Sequence, residues 1–237
     1  MRLQKFIGNL GYVSRRKAEE LIRNEQVKVN GETITELWHQ VDPASHPQIE
    51  IKNQEIKSDL NKTYIILNKP KGYTCTKKEF INEKNIYELL PPQFANLHYT
   101  GRLDKDSSGL MILTNDGDFT QQMTHPKFAL NKIYLAKIKG ELTTEKISKF
   151  CNGLKLEDGL TAKAKLEVLK QKEDLAELKI TIHEGKKRQI RRMFEFLNLR
   201  VLNLHRLQIG PIKLPKSLPE RQWRILDIKE FPIFNKL

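Results

Sequence analysis

Residues 52–62, KNQEIKSDLNK, form a polar segment between a small opening module and a β-rich region that starts at TYIILNKPKGYT. Ahead of this polar segment two helical repeats lead into a hairpin signal. Behind it, apolar residues fall in short runs typical of strands. A polar stretch in this position reads as a linker. It implies a small module over 1–60, linker included, and a larger one over 61–237. At 237 residues the chain has room for both cores.

In the first module Leu3, Phe6, Ile7 and Leu10 follow the helical period. Gly11 then breaks the chain, and Ser14 stands where it can cap a second helix, SRRKAEELIRN. On that helix Ala18, Leu21 and Ile22 form an apolar stripe. Arg15, Arg16 and Arg23 fall largely off it, with Lys17 at its margin. VKVNGETI places Asn30-Gly31 between alternating apolar residues, which is the strongest short-range hairpin signal.

The second module begins with TYIILNKPKGYT, a β-type run halted by Lys-Pro-Lys-Gly. Further strands are expected at 110–114, 133–140, 164–170 and 175–184, and helices at roughly 118–124, 143–152 and 187–197. Strands outnumber helices and do not alternate with them. This predicts an α+β fold with a mixed, mainly antiparallel sheet rather than a doubly wound one.

The formal charge is +13. Residues 1–30 hold seven Lys/Arg against three Glu, and residues 31–60 hold two Lys against six acids, so residues 61–237 carry the whole excess. Segregated positive charge favours binding faces for a polyanion such as nucleic acid. No apolar run approaches the roughly 20 residues of a membrane span, and MRLQKFIGNLGYVSRRK lacks the apolar core of a secretory signal. Cys75 and Cys151 lie far apart with no Cys/His spacing typical of zinc. A cytoplasmic, reduced, metal-free protein is expected, with His183 and His205 structural.

GRLDKDSSGL, residues 101–110, concentrates the candidate chemistry. Asp104, Asp106, Ser108 and Gly109 match four offsets of an EF-hand loop, but the twelfth position is Asn115 and no amphipathic helix precedes it. Asp104 and Asp106 could form a glycosidase-type acid pair, yet no aromatic sugar platform adjoins them. A polar turn between strands suits the local residues best. Near the C-terminus of the second module, Ile190, Met193, Phe194 and Leu197 form one buried helical face. Arg188, Arg191 and Arg192 fall on an adjoining stripe, and Gly185, Lys186 and Lys187 precede the helix.

Two resemblances add to this reading. VSRRKAEELI followed by VKVNG resembles the S4 RNA-binding domain, an alpha-L-like fold. GRLDKDSSGLMILTNDGD resembles the catalytic motif of the RsuA/RluB branch of bacterial rRNA pseudouridine synthases. That likeness covers nearly all of the chain, through LNKPKGY (67–73), KIYLAKIKG (132–140), EGKKRQIRRMF (184–194) and LPKSLPERQW (214–223). Ser107 and Ser108 stand where the family usually shows Thr or a similar small residue.

The resemblance implies an S4 domain followed by a pseudouridine synthase domain that isomerises a uridine of rRNA without any cofactor. It implies Asp104 as the catalytic carboxylate, Tyr134 as the residue packed on the target base, and Arg191 as the cation paired with Asp104. Arg102 would fill the space left by the flipped nucleotide or hold a phosphate. Arg15, Arg16, Lys17, Arg23, Lys186, Lys187, Arg188 and Arg192 would contact RNA. GLKLEDG (153–159) and the closing tract look closer to the large-subunit enzymes, so the expected partner is 23S rRNA or an assembling ribosomal particle, met by a monomer. A 16S target is the alternative, and so is a non-catalytic S4 protein of ribosome assembly.

Overall fold

The computed structural model describes residues 1–56, 62–77 and 81–231. Near its start, helix α1 (Leu3–Asn9) buries Leu3, Phe6 and Ile7, and Gly11 at φ +74° ends it in the left-handed conformation open to glycine. Helix α2 (Arg15–Arg23) starts at Ser14, whose side chain accepts from the Lys17 amide at 3.2 Å. Strands β1 (Val27–Val29), β2 (Glu32–Thr33), β3 (Ile49–Ile51) and β4 (Gln54–Ile56) form a sheet in the order β2-β1-β3-β4. Asn30 and Gly31, both at positive φ, make the expected turn between β1 and β2. Helices and sheet share one core in which Phe6, Ile7, Ile22 and Ile51 are almost fully buried. Each contributes about 1.5–3 kcal/mol by leaving water.

The linker reading of 52–62 needs correction over its first half. Lys52 and Asn53 take φ of +51° and +61° and turn β3 back into antiparallel β4. The turn carries no glycine, so its sequence gives little sign of a hairpin. The rest of that reading, 57–61, lies outside the described residues. Two units result. One comprises Met1–Thr63 with Asn96–His98 and Thr114–Gly117, and the other comprises the remaining segments from Tyr64 to Leu237.

The second unit is built on β5 (Tyr64–Lys69), β6 (His98–Thr100), β7 (Ser108–Thr114), β8 (Lys132–Lys139), β9 (Lys155–Leu156), β10 (Gly159–Leu160), β11 (Lys165–Lys172), β12 (Leu175–Ile182), β13 (Arg200–Ile209), β14 (Ile212–Lys213) and β15 (Trp223–Ile225). The main sheet runs β11-β12-β8-β13-β7-β5-β15, with β14 beside β13 and β6 beside β7; β9 and β10 form a separate hairpin. The sheet is mixed and mostly antiparallel, as expected, with β13 and β7 parallel. Every residue of β5 and β7 is buried, which explains their continuous apolar sequences. Helices α3 (Gly117–Thr124), α4 (Thr144–Asn152) and α5 (Gln189–Phe196) fall where the periodicity places them. Phe150 of α4 stacks on Phe194 of α5 with ring centres 4.7 Å apart.

The ten-residue β13 is not among the strands read from the sequence. Its register slips twice, between Val201 and Asn203 and between Arg206 and Gln208, so its apolar residues lose the period of two.

Candidate active site

Strand β7 meets β13 in parallel, with Gly109 opposite Arg206. A Cβ on Gly109 would lie 2.3 Å from the Arg206 carbonyl oxygen, and Gly109 holds φ at +106°. Only glycine allows this approach. The residues just before β7 are thereby fixed against the centre of the sheet, and among them is Asp104.

The backbone of that segment is held at six successive carbonyls. Arg206 Nη1 donates to Arg102 O at 3.3 Å, and Cys75 Sγ to Leu103 O at 3.2 Å. Lys69 Nζ donates to Asp104 O at 3.1 Å and to Ser107 O at 2.7 Å. The Gly72 amide donates to Lys105 O at 2.7 Å, and Arg191 Nη2 to Asp106 O at 2.9 Å. The Ser107 amide closes the turn onto Asp104 O at 3.0 Å. The turn reading of this stretch is thus correct as geometry. The Asp104 side chain, however, takes no hydrogen bond or ion pair among the described residues. Its backbone is fixed and its carboxylate is unengaged.

Lys69 is the residue that the sequence hides. It is 0% exposed, and its ammonium also donates to Pro70 O at 3.1 Å. Burial pulls its pKa below the usual lysine value. Three carbonyl acceptors offset much of the cost of a buried charge. A lysine closing an otherwise apolar run, YIILNK, is the one sequence signal for it. Arg206, 2% exposed, was equally concealed; its Nε donates to Leu110 O at 2.9 Å.

The expected pairing of Arg191 with Asp104 is corrected. Arg191 Nε lies 3.2 Å from Asp106 Oδ2, without hydrogen-bond alignment, and Arg188 Nη1 and Nη2 grip the same carboxylate at 3.0 and 3.2 Å. Arg191 also donates to Ser107 Oγ at 3.3 Å. Burial pushes the Asp106 pKa up, but the Arg188 hydrogen bond and the two guanidinium charges outweigh it and hold the carboxyl below its usual value. Burial pulls the Arg191 pKa down, against the charges of Asp106 and Asp104. The register of α5 explains the shift. Arg188 precedes the helix at φ +51°, and this positions it with Arg191 over Asp106, two residues past Asp104.

Asp104 opens on a cavity of about 900 Å³. Tyr134, 7% exposed, lines it from β8, where it sits opposite Arg206. Arg102, Lys186, Lys187 and Arg188 also line it. Arg102 and Lys187 are exposed. Lys186 is partly committed, donating to Asp158 O and Leu160 O at 3.3 and 3.0 Å. Arg192 leaves the expected stripe and pairs with Asp158 at 2.8 Å. Ser108 Oγ lies 2.8 Å from His205 Nδ1, and burial lowers the pKa of that ring. In the first unit Arg15, Arg16, Lys17 and Arg23 are all exposed, and Lys17 pairs with Glu20.

Comparison with known proteins identifies this arrangement. Residues 63–196 match the RNA pseudouridylate synthase family, and residues 1–45 match the S4 domain. The chain is 41% identical to the ribosomal large subunit pseudouridine synthase B of Bacillus subtilis, over 90% of this chain and 87% of that one. It is 32% identical to the ribosomal small subunit pseudouridine synthase A of Pseudomonas aeruginosa, over 97% and 98%. A crystal structure of a pseudouridylate synthase superposes with a TM-score of 0.70 at 33% identity, covering 97% of each chain. The chain belongs to the RNA pseudouridylate synthase family. Within it, the S4 domain and these relatives place it in the RsuA/RluB group, and it is an isomerase of that class.

Proposed function

We propose that this enzyme converts one uridine of 23S rRNA to pseudouridine, with Asp104 as its catalytic carboxylate. The observation that carries the proposal is the unengaged Asp104 side chain, on a backbone pinned at six carbonyls, beside a cation-lined cavity that holds Tyr134. Preorganisation of this kind holds a reacting group near its working geometry without ordering it at the moment of reaction.

The reaction conserves atoms. The N1–C1′ bond breaks, the base turns, C5 bonds to C1′, and the proton lost from C5 is balanced by one gained at N1. Asp104 serves as an ionised carboxylate, attacking C1′ or removing a sugar proton to start elimination. The cationic residues of the cavity attract the phosphates of the target strand. Tyr134 offers a face to the uracil once it has left its stack, a step that costs a few kcal/mol. Arg191 serves through Asp106 and Ser107, holding the turn in place, and its charge reaches Asp104 through space. Arg102, Lys187 and Arg188 meet the RNA backbone around the cavity, and Arg15, Arg16 and Arg23 meet a stem through the S4 unit.

The choice of large-subunit RNA is supported by the higher identity to the Bacillus subtilis relative than to the small-subunit one. The test is a map of pseudouridines in rRNA from cells lacking the protein, then after complementation with wild type or Asp104→Asn. Loss of one 23S site restored by wild type alone is the expected result. Loss of a 16S site instead would reassign the substrate. Restoration by both versions would remove Asp104 from the chemistry.

A further inference from the structure

The first unit carries a second cleft, of about 270 Å³, lined by Arg2, Gln4, Glu19, Leu37 and Trp38. Three of its features are out of keeping with an ordinary surface. Trp38 is 73% exposed, an unusual placement for a large apolar ring. Gln4 is only 7% exposed, yet its amide oxygen is enclosed without a hydrogen-bond partner. Buried amides are almost always bonded, so Gln4 is an unusual polar residue for this wall, although its oxygen itself is sealed from solvent. Arg2 and Glu19 stand at the same cleft, and neither side chain is held by an ion pair among the described residues.

Position narrows the ligand. Glu19 lies on α2 four residues after Arg15, three after Arg16 and four before Arg23. Residues at those spacings are neighbours on a helix surface. The cleft therefore adjoins the exposed cationic face of α2. A strand of nucleic acid held there by its phosphates would bring its unpaired bases to Trp38. At about 270 Å³ the cleft falls just below the 300–1,000 Å³ of drug-sized pockets, a fit for one ring system.

We infer that this cleft captures one unpaired purine of the RNA, stacked on Trp38 and bonded at its edge by Glu19, with Arg2 on the adjacent phosphate. The inference rests on the RNA-modifying reading given above. A purine is favoured over a pyrimidine because its larger face covers more of the indole. Glu19 adds an acceptor for an exocyclic amino group. The cleft is a base site apart from the cavity of Asp104. It would fix the register of the bound strand, whereas the arginines of α2 supply attraction without sequence.

The test uses full-length wild type, Trp38→Ala and Trp38→Phe, with fluorescein-labelled decamers of adenylate and of uridylate followed by anisotropy. Wild type is expected to bind the adenylate decamer more tightly. Base–aromatic stacking of about 1–3 kcal/mol corresponds to a roughly fivefold to 150-fold loss in Trp38→Ala. That variant should lose the purine preference, Trp38→Phe should keep most of it, and the salt dependence of binding should be unchanged. Unaltered thermal unfolding of Trp38→Ala serves as the folding control. Equal adenylate binding by wild type and Trp38→Ala overturns the inference, as does failure of wild type to bind either decamer. So does a defect of Trp38→Ala confined to association with ribosomal particles, which would make Trp38 a protein contact. The same wild-type preparation is assayed for pseudouridine in rRNA transcripts. Absence of product there refutes the wider reading, and the decamers judge the cleft separately.

Discussion

Asp104 and Asp106 stand two residues apart and have opposite fates: one carboxylate is unengaged, while the other is gripped by two guanidiniums. Asp104→Asn removes no bond from the fold, so stability should move by less than about 0.5 kcal/mol. If Asp104 is the catalytic carboxylate proposed above, turnover should fall by at least about a thousandfold, as when a reacting side chain is removed from other enzymes, in a pseudouridine assay on rRNA transcript. Asp106 gives a pH signature. Its folded pKa lies below the usual 3.8, so its contribution to stability is fully present above that value. It is lost as pH falls through the lower, folded value. Urea unfolding of wild type and Asp106→Asn should therefore show a constant difference at pH 5–7 that narrows in acid below 3.8. A difference that grows on acidification would contradict the assignment.

Among elements, the parallel contact of β7 with β13 decides whether the site exists. Gly109→Ala puts a methyl group 2.3 Å from the Arg206 carbonyl, and backbone cannot swing aside as a side chain can. The loss should reach about 3 kcal/mol or more, at the high end for single substitutions, with activity falling in parallel. This is also the level at which sequence and structure part company. Strands β5, β7, β8, β11 and β12 and helices α1 to α5 were legible because continuous burial, alternation or a 3.6-residue period is written into them. The motif residues around Asp104 and Tyr134 were legible through resemblance, and the structure brings both to one cavity. Strand β13 was hidden by two register slips and a buried arginine, and the Lys52-Asn53 hairpin by a turn without glycine. The roles of Lys69 and Arg206 could not be read from local pattern. Both depend on carbonyls supplied by residues remote in sequence.

For the whole molecule, charge and chemistry divide unequally. Residues 1–60 sum to zero charge, yet α2 presents an exposed cationic face, while the cavity of Asp104 lies wholly in the second unit. Removing residues 1–60 should leave a cooperative unfolding transition in the remainder. Affinity for a structured rRNA target should drop by about a hundredfold or more, as when one of two linked binding modules is lost. Gel-shift titration and thermal unfolding of the truncated protein measure both. A truncated chain that does not fold would refute the domain division.

The burial of Lys69 has a consequence for chemical labelling. In a protein rich in surface lysines, an acylating reagent modifies the exposed amines first and meets Lys69 only when the chain opens around it. Two of its three carbonyl partners, Asp104 O and Ser107 O, belong to the Asp104 segment, so opening that exposes the amine also releases that segment. The rate at which mass spectrometry finds Lys69 acylated, compared with the surface lysines, is then a clock for how often the Asp104 segment comes undone.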